Sequence, residues 1–536
     1  EPLCDLVPIE NAAMAERTVI QWDKNDINTL GLLKVDCLSL GMLSAIHRCF
    51  DLIKKHGGNS WTMATIPTED SVVYDMMGNA DTIGVFQIES RAQMAMLPRL
   101  RPVCFYDLVI EVAIVRPGPI QGDMVHPYLK RRQGHEAVTY PNDAMRQVLG
   151  RTLGIPIFQE QVIKLAVVAA GFTPGEADNL RRAMGAWRRH GDLSDYKEML
   201  VNGMCERGYP ESFAKQIYQQ ILGFGEYGFP EAHAASFALL VYVSAWLKYH
   251  QPAAFTCALL NSQPMGFYAP AQLIEDARRH GVQVKPIDVT VSDWESTLEQ
   301  DKETLALRLG LHMINGFSQT GAIRLLNARA DRAFRDLQDF AQRTCLNKTD
   351  LQALAAANAF IALVRSHRKM AYWEVAGIST PAPILNRTCF NEGTPMIPKA
   401  TPIDDAHADY ASIGLTLGPH PLALIRSTLS ELGLSTREEL YRQSHGKIAK
   451  VAGLVIARQR PASANNVTFV TLEDETGSIN LVLWKNIAEQ YASILLGASV
   501  ISASGKIQRK GDVLHLLTDQ LVDLSYLIDN LTIQSR

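Results

Sequence analysis

The sequence predicts a multidomain, mainly α-helical chain that closes on a small β-barrel, with a small α/β segment at its front. Three observations predict it. The chain has 536 residues, 47% hydrophobic and 20% charged, enough for several cores. Apolar positions recur at helical spacing over nearly all of residues 151–260. From 446 to 536 they switch to period two. The bulk numbers also exclude classes. A net charge of -4 is not that of a polycation, so any nucleic-acid contact must come from local patches. The eight cysteines are scattered with no CxxC pair, which argues against a zinc site or a disulfide framework and predicts a reducing, cytoplasmic setting. No apolar run is long enough to span a bilayer and no signal peptide opens the chain, so no membrane partner is expected. The start, Glu1-Pro2-Leu3, lacks an initiating methionine and reads as part of something longer.

Five segments divide the chain: 1–50, 51–265, 266–365, 366–445 and 446–536. In the first, the apolar run Leu30–Leu38 reads as a buried strand bounded by Gly31 and Ser39, followed by a helical pattern from Ser39 to Lys55. Asp36 is the one acid in that strand and needs a partner there: a divalent metal, the cap of the next helix, or Lys34. Residues 56–150 alternate short helices with turns and carry two phrases, GVFQIESR from Gly84 and Arg116-Pro117-Gly118-Pro119. The second is a rigid turn that fixes an arginine, or a plain loop.

Further on, Phe158-Gln159-Glu160-Gln161 opens an apolar helix, and the stretch from Phe172 to His190 opens another. Thr173, Pro174 and Glu176 are N-cap, first helical residue and capping-box acid. Arg181, Arg182, Arg188 and Arg189 then fall on two adjacent rows without an opposing carboxylate. Such a face is either solvated charge or a site for phosphate oxygens, which guanidinium forks match bidentately. A glycine-hinged phrase, 223–233, leads into a long apolar helix from Ala234 to Tyr249. His233 stands near its N-terminus, where an anion is favoured, or caps and packs it. Phe237, Tyr242 and Trp246 read as core.

Leu311 to Ser318, with Ala322 and Leu325-Leu326, has the spacing of a helix-hairpin-helix, which offers backbone N–H groups to a DNA phosphate; an ordinary helical hairpin fits equally. Gly316 forms its turn, and Ser318 stands where a second glycine is usual, which predicts a tighter or less DNA-competent hairpin. The proline-rich stretch 366–445 reads as a connector with local structure, including Gly414 to Leu424. Five strands then follow, Lys447–Ile456, Val467–Leu472, Ile479–Trp484, Val500–Ile507 and Val513–Leu517, with a helix Asn486–Leu496 after the third. That order is an OB-fold, a barrel often used for single strands. Lys506, Arg509 and Lys510 add positive charge, and Phe469 and Trp484 either stack on bases or fill the barrel.

Six phrases occur in order: Lys34-Val35-Asp36, GVFQIESR from Gly84, VRPGP from Val115, FQEQV from Phe158, LRRAMG from Leu180 and YGFPEAHAASFALLVY from Tyr227. With them the chain resembles the bacterial family C DNA polymerases, the polymerase III alpha subunit and its relatives, from about Thr29 to about Leu325 and again in the barrel. The finer resemblance is to the error-prone, damage-inducible, ImuC-type branch. Pro230, Glu231 and Ala232 replace the Asn-Lys-Ser usual in the replicative branch, and Asn261–Tyr268 is similar to the error-prone one.

The resemblance implies a carboxy-terminal fragment of an error-prone DNA-directed DNA polymerase acting in replication and damage-induced translesion repair synthesis. Residues 1–50 would be a palm remnant, 51–265 the fingers, 266–365 the helix-hairpin-helix region and 446–536 the OB domain. Asp36 would be the third of three catalytic aspartates holding two Mg²⁺ ions. Arg181 and Arg182 would lie near the triphosphate, with Arg116, Gln159 and His233 close by; Gly316, Ser318, Lys506, Arg509 and Lys510 would touch DNA. The family's paired aspartates have no counterpart here, since Asp404-Asp405 and Asp23/Asp26 lie in the wrong context, so this segment is expected to be inactive alone. Implied partners are primer-template DNA, deoxynucleoside triphosphates, a sliding clamp and a Y-family-like accessory protein. The alternative is a non-catalytic DNA-binding scaffold of hairpin and OB modules. A tRNA-binding or ligase-like protein is disfavoured, because no GxxxxGK[ST] motif is present.

Overall fold

The computed structural model describes residues 2–12, 17–22, 24–32, 37, 39–115, 122–180, 194–223, 230–266, 268–302, 304–378, 396–460, 467–510 and 513–528. At the front, β1 (Ile9–Asn11) pairs antiparallel with β2 (Thr18–Ile20), and a short helix, Lys24–Thr29, follows. The buried strand expected over Leu30–Leu38 lies mostly outside the described residues; its first residue, Leu30, is 51% exposed and ends a helical turn. The helix after it is as expected: α1 (Leu40–Lys55) buries Met42, Ala45, Ile46, Cys49 and Ile53 along one stripe.

The helical body is organised by α2 (Phe105–Ile114), α3 (Gln159–Ala170), α4 (Glu231–His250), α5 (Pro252–Leu260) and α6 (Pro270–Arg279). α4 is apolar nearly all round, so it lies inside, along α2, with Ala234, Ala238, Val241, Ala245 and Leu247 buried. Tyr242 and Trp246 are core, as read from the sequence, and Trp246 meets Trp61 edge-on at 5.1 Å. Pro252 restarts the chain at the first position of α5, which packs on α1. A second core joins Met145, Leu165, Leu200, Met204 and Ile217. It includes the start of the basic helix, where the Thr173 N–H donates to Glu176 Oε2 (2.8 Å) and the Glu176 N–H to Thr173 Oγ1 (3.3 Å), as a capping box requires.

β3 (Val284–Lys285), β4 (Thr297–Asp301) and β5 (Thr304–Arg308) form a small sheet in the order β3-β5-β4. Next come a 3-10 turn, Leu311–Met313, then α7 (Gln319–Asp331) and α8 (Lys348–Ala356). Local structure is present in the described part of the proline-rich stretch. α9 (Pro402–Ile413) opens with a capping box at Thr401. Leu415 joins the main core, whereas Leu422, Ile425, Leu429 and Leu434 pack on the barrel.

The barrel is closed in the order β10-β8-β7-β6-β9, from β6 (Ile448–Gln459), β7 (Thr468–Asp474), β8 (Gly477–Leu483), β9 (Val500–Lys510) and β10 (Val513–Asp523). Closure is made by a parallel β8–β10 pairing, and alternate residues such as Ile479, Leu481 and Leu483 fill the interior. The single helix expected after the third strand is two, Lys485–Gln490 and Ala492–Gly497, broken at Tyr491.

Candidate nucleic-acid interface

Of the residues singled out in the sequence, Asp36, Arg116, Arg181, Arg182, Arg188 and Arg189 lie outside the described residues, as does the side chain of Lys510. The others have defined surroundings. Gln159 is half-buried at the first position of α3, and His233 is exposed in the first turn of α4, its ring 4.3 Å from Phe237. The two helix starts are brought together, because the Glu231 N–H donates to Glu160 Oε2 at 2.9 Å. Thus the anion favoured at the start of α4 is a carboxylate of this chain. Glu231 itself accepts from the Tyr106 hydroxyl (2.9 Å) and Arg151 (3.3 Å), and the Arg151 guanidinium sits 3.7 Å above the Tyr106 ring.

In the hairpin, Gly316 is exposed with φ +78°, a left-handed turn that suits glycine. Ser318 caps α7, its Oγ accepting the Gly321 N–H at 2.9 Å. Ser318, which the resemblance places among the DNA contacts, donates both its N–H and its hydroxyl to Asp350, at 3.0 and 3.1 Å. On the barrel, Lys506 is exposed and Trp484 is 56% exposed, so Trp484 is not barrel core; Phe469 is half-buried. Arg509 turns inward instead of outward. Its guanidinium donates to the Tyr441 and Gln443 carbonyls, which closes the helix Arg437–Tyr441 against the barrel.

Sequence reading missed a polar cluster under the Gly84 phrase. Lys248, 2% exposed on α4, donates to Asp276 Oδ2 (2.5 Å) and to the Ile83 carbonyl (3.0 Å), and lies 3.2 Å from Asp81 Oδ1. His280 completes it, reaching Asp81 Oδ2 at 2.6 Å. Asp81, Asp276 and His280 have the spacing of metal ligands, but the Lys248 ammonium is already the cation between the two carboxylates. Nearby, burial pushes the Glu89 carboxyl up to about 8, against the Gly84 N–H and the Lys248 charge. Glu111 is fully buried, has no hydrogen-bond partner on either oxygen among the described residues, and burial pushes its carboxyl well above the usual carboxylate range. A lone acid inside Val109-Ile110-Glu111-Val112-Ala113, and a lone lysine late in α4, were the available signals.

Comparison with known proteins agrees with this order of parts. Residues 42–208 match the finger domain of the bacterial DNA polymerase III alpha subunit, and 1–39 match the domain described as the bacterial DNA polymerase III alpha NTPase domain. Residues 281–370 match a helix-hairpin-helix motif and 449–524 an OB-fold nucleic acid binding domain. Proteins named error-prone DNA polymerase align with all of this chain. The one from Methylococcus capsulatus is 56% identical over 555 residues, that from Alkalilimnicola ehrlichii 58% over 537, and that from Pseudomonas aeruginosa 52% over 539. The chain covers 53%, 52% and 52% of their lengths, respectively, so it spans about half of the curated relatives it matches. No helix among the described residues is long and apolar enough to cross a membrane.

Proposed function

Because the chain belongs to the error-prone branch of the polymerase III alpha family, we propose that it is the part of a template-directed DNA polymerase that holds the incoming nucleotide and the DNA. The observation that carries this reading is the presence, in one chain and in this order, of the finger, helix-hairpin-helix and OB modules. The reaction is attack of a primer 3′-hydroxyl on the α-phosphorus of a deoxynucleoside triphosphate. A phosphoester bond forms, the bond to the β-phosphate bridge breaks, pyrophosphate leaves, and the hydroxyl proton is lost.

Mg²⁺, where bound, would supply charge neutralisation at the attacking and leaving oxygens. Asp36 would be one ligand; one carboxylate cannot by itself hold both ions, so this segment would be inactive alone. Arg181 and Arg182 neutralise the triphosphate, and the Thr173–Glu176 capping box fixes the helix start that precedes them in the chain. Arg116, Gln159 and His233 border that pocket. The hairpin region holds duplex, and the barrel, through Lys506 with Trp484, holds the template strand. Damage-induced synthesis across lesions is the setting the error-prone relatives suggest.

The test is steady-state kinetics of the intact polymerase carrying Arg181→Ala and Arg182→Ala together. Each charge-assisted contact is worth about 1.5–3 kcal/mol, so kcat/KM for the nucleotide is expected to fall by about a hundredfold or more. Primer-template affinity should stay within about twofold. Unaltered nucleotide kinetics would refute the triphosphate role.

A further inference from the structure

The hairpin turn already holds an anion. The Asp350 carboxylate, only 4% exposed, accepts the Ser318 N–H on one oxygen (3.0 Å) and the Ser318 hydroxyl on the other (3.1 Å). A nucleic-acid phosphate engages a helix-hairpin-helix in the same way, through backbone N–H groups at the start of the second helix. Here that helix is α7, and Ser318 is its N-cap. Among the described residues, no lysine or arginine lies within ion-pair distance of Asp350, so its compensation comes from this turn.

The surroundings are fitted to the carboxylate. A Cβ on Gly321 would come within 2.9 Å of Asp350 Oδ2 and 2.9 Å of Ser318 Oγ, so the glycine leaves the space that the carboxylate fills. Ser318, standing where a second glycine is usual, supplies the hydroxyl that the second oxygen accepts. Asp350 is set in the first turn of α8, its own N–H donating to the Asn347 cap at 2.7 Å. An independent contact has the same electrostatic sense. Asn315, on the other side of the turn, donates its N–H to the Ser412 carbonyl (2.8 Å) and its side-chain amide to the Ala411 carbonyl (3.0 Å). Those carbonyls belong to the last turn of α9, the negative end of that helix. The turn is therefore bracketed by a buried carboxylate and a helix C-terminus, and both disfavour a phosphate.

We propose that Asp350 occupies the hairpin's phosphate position, so that this turn is closed to the DNA backbone and the module holds duplex without it. The proposal rests on the reading of residues 281–370 as a DNA-holding module. It withdraws Ser318 from the DNA contacts and makes Asp350 an internal competitor of the phosphate.

The experiment is duplex binding by the full 536-residue chain, followed by fluorescence anisotropy across a salt series. Asp350→Asn removes the charge and keeps the shape, and Asp350→Ala frees both Ser318 donors. With the turn opened, Kd is expected to drop about three- to tenfold at low salt, and the slope of log K against log salt to steepen by about one contact. Ser318→Ala keeps the charge in place and should change Kd less than about twofold. Melting curves and circular dichroism establish that each variant is folded. Folded Asp350 variants whose Kd and slope equal those of the parent would overturn the occupancy, and so would a gain of equal size from Ser318→Ala. If neither the parent nor any variant binds duplex, the DNA-holding reading itself falls, a result distinct from binding without gain.

Discussion

Lys248 sits in the last turn of an apolar helix, and the fold brings counter-charges to it. Removing an ammonium from water is expensive unless the charge is paired, and here Asp276 and Asp81 flank it. His280 supplies the charge balance. Its Nδ1 lies 2.7 Å from the Asp276 carbonyl, which can only accept, and its Nε2 lies 2.6 Å from the Asp81 carboxylate. Both nitrogens therefore donate, so the ring is imidazolium. Consistently, the hydrogen bond to Asp81 holds the His280 pKa above 6.5 in spite of burial. Burial pushes Asp81 up, but His280 and Lys248 outweigh it and hold its pKa below 3.8. The signs follow by linkage. The histidine's contribution is full below 6.5 and is lost as pH rises through its folded pKa. The aspartate's is full above 3.8 and is lost as pH falls through its folded pKa. Unfolding free energy measured from pH 6 upward should therefore decline in the parent, while His280→Gln should start lower by about 1 kcal/mol and show a flatter profile. Parallel profiles would mean that the ring is not charged. None of this was legible from sequence, because the four side chains come from positions 81 to 280 and only the fold assembles them.

At the scale of elements, what the sequence revealed depended on whether a pattern had one wet face. The barrel strands alternate cleanly, as in β8, where every second residue is buried, and they were legible. The β1–β2 hairpin was not: all three β1 residues are exposed, and two of the three in β2, so no alternation marks it. The helix expected within the barrel was found with a break at Tyr491, a boundary that periodicity over so short a stretch cannot reveal. The stretch around Pro419 and Pro421 reads in sequence as a connector with local structure, but no periodic run marks which of its leucines pack on the barrel. Barrel closure makes its own demand. β9 runs between β6 and β10, and Gly505 is paired to Ala449 on one side and Thr518 on the other. A Cβ on Gly505 would fall 2.1 Å from the Leu517 carbonyl oxygen, a backbone atom that cannot swing away. Gly505→Ala should thus lower barrel stability by about 1–3 kcal/mol in urea titration. Gly497→Ala, where nothing lies within 4 Å, should stay within about 0.5 kcal/mol. Equal effects at the two positions would mean that the strands shift to make room.

Across the whole molecule, the buried side chains form separate cores, and this decides how it unfolds. One core runs from Met42 to Leu415, a second joins Met145 to Tyr218, and the barrel has its own, extended by Leu422, Ile425 and Leu429. The switch from helical to period-two spacing announced the division between body and barrel. The candidate nucleotide site was legible only as ordered phrases, because its basic residues and its acid carry no periodic signal of their own. Independent cores of this size should not melt as one unit. Calorimetry of the full chain should show at least two transitions. Leu516 is fully buried in the barrel and Leu247 fully buried in the main core. Each Leu→Ala change leaves a cavity costing about 2–5 kcal/mol. Leu516→Ala should lower one transition and leave the other within about a degree, and Leu247→Ala should do the reverse. If both variants shift every transition together, then the helices that cover the barrel couple it to the body, and the chain unfolds as a single cooperative unit.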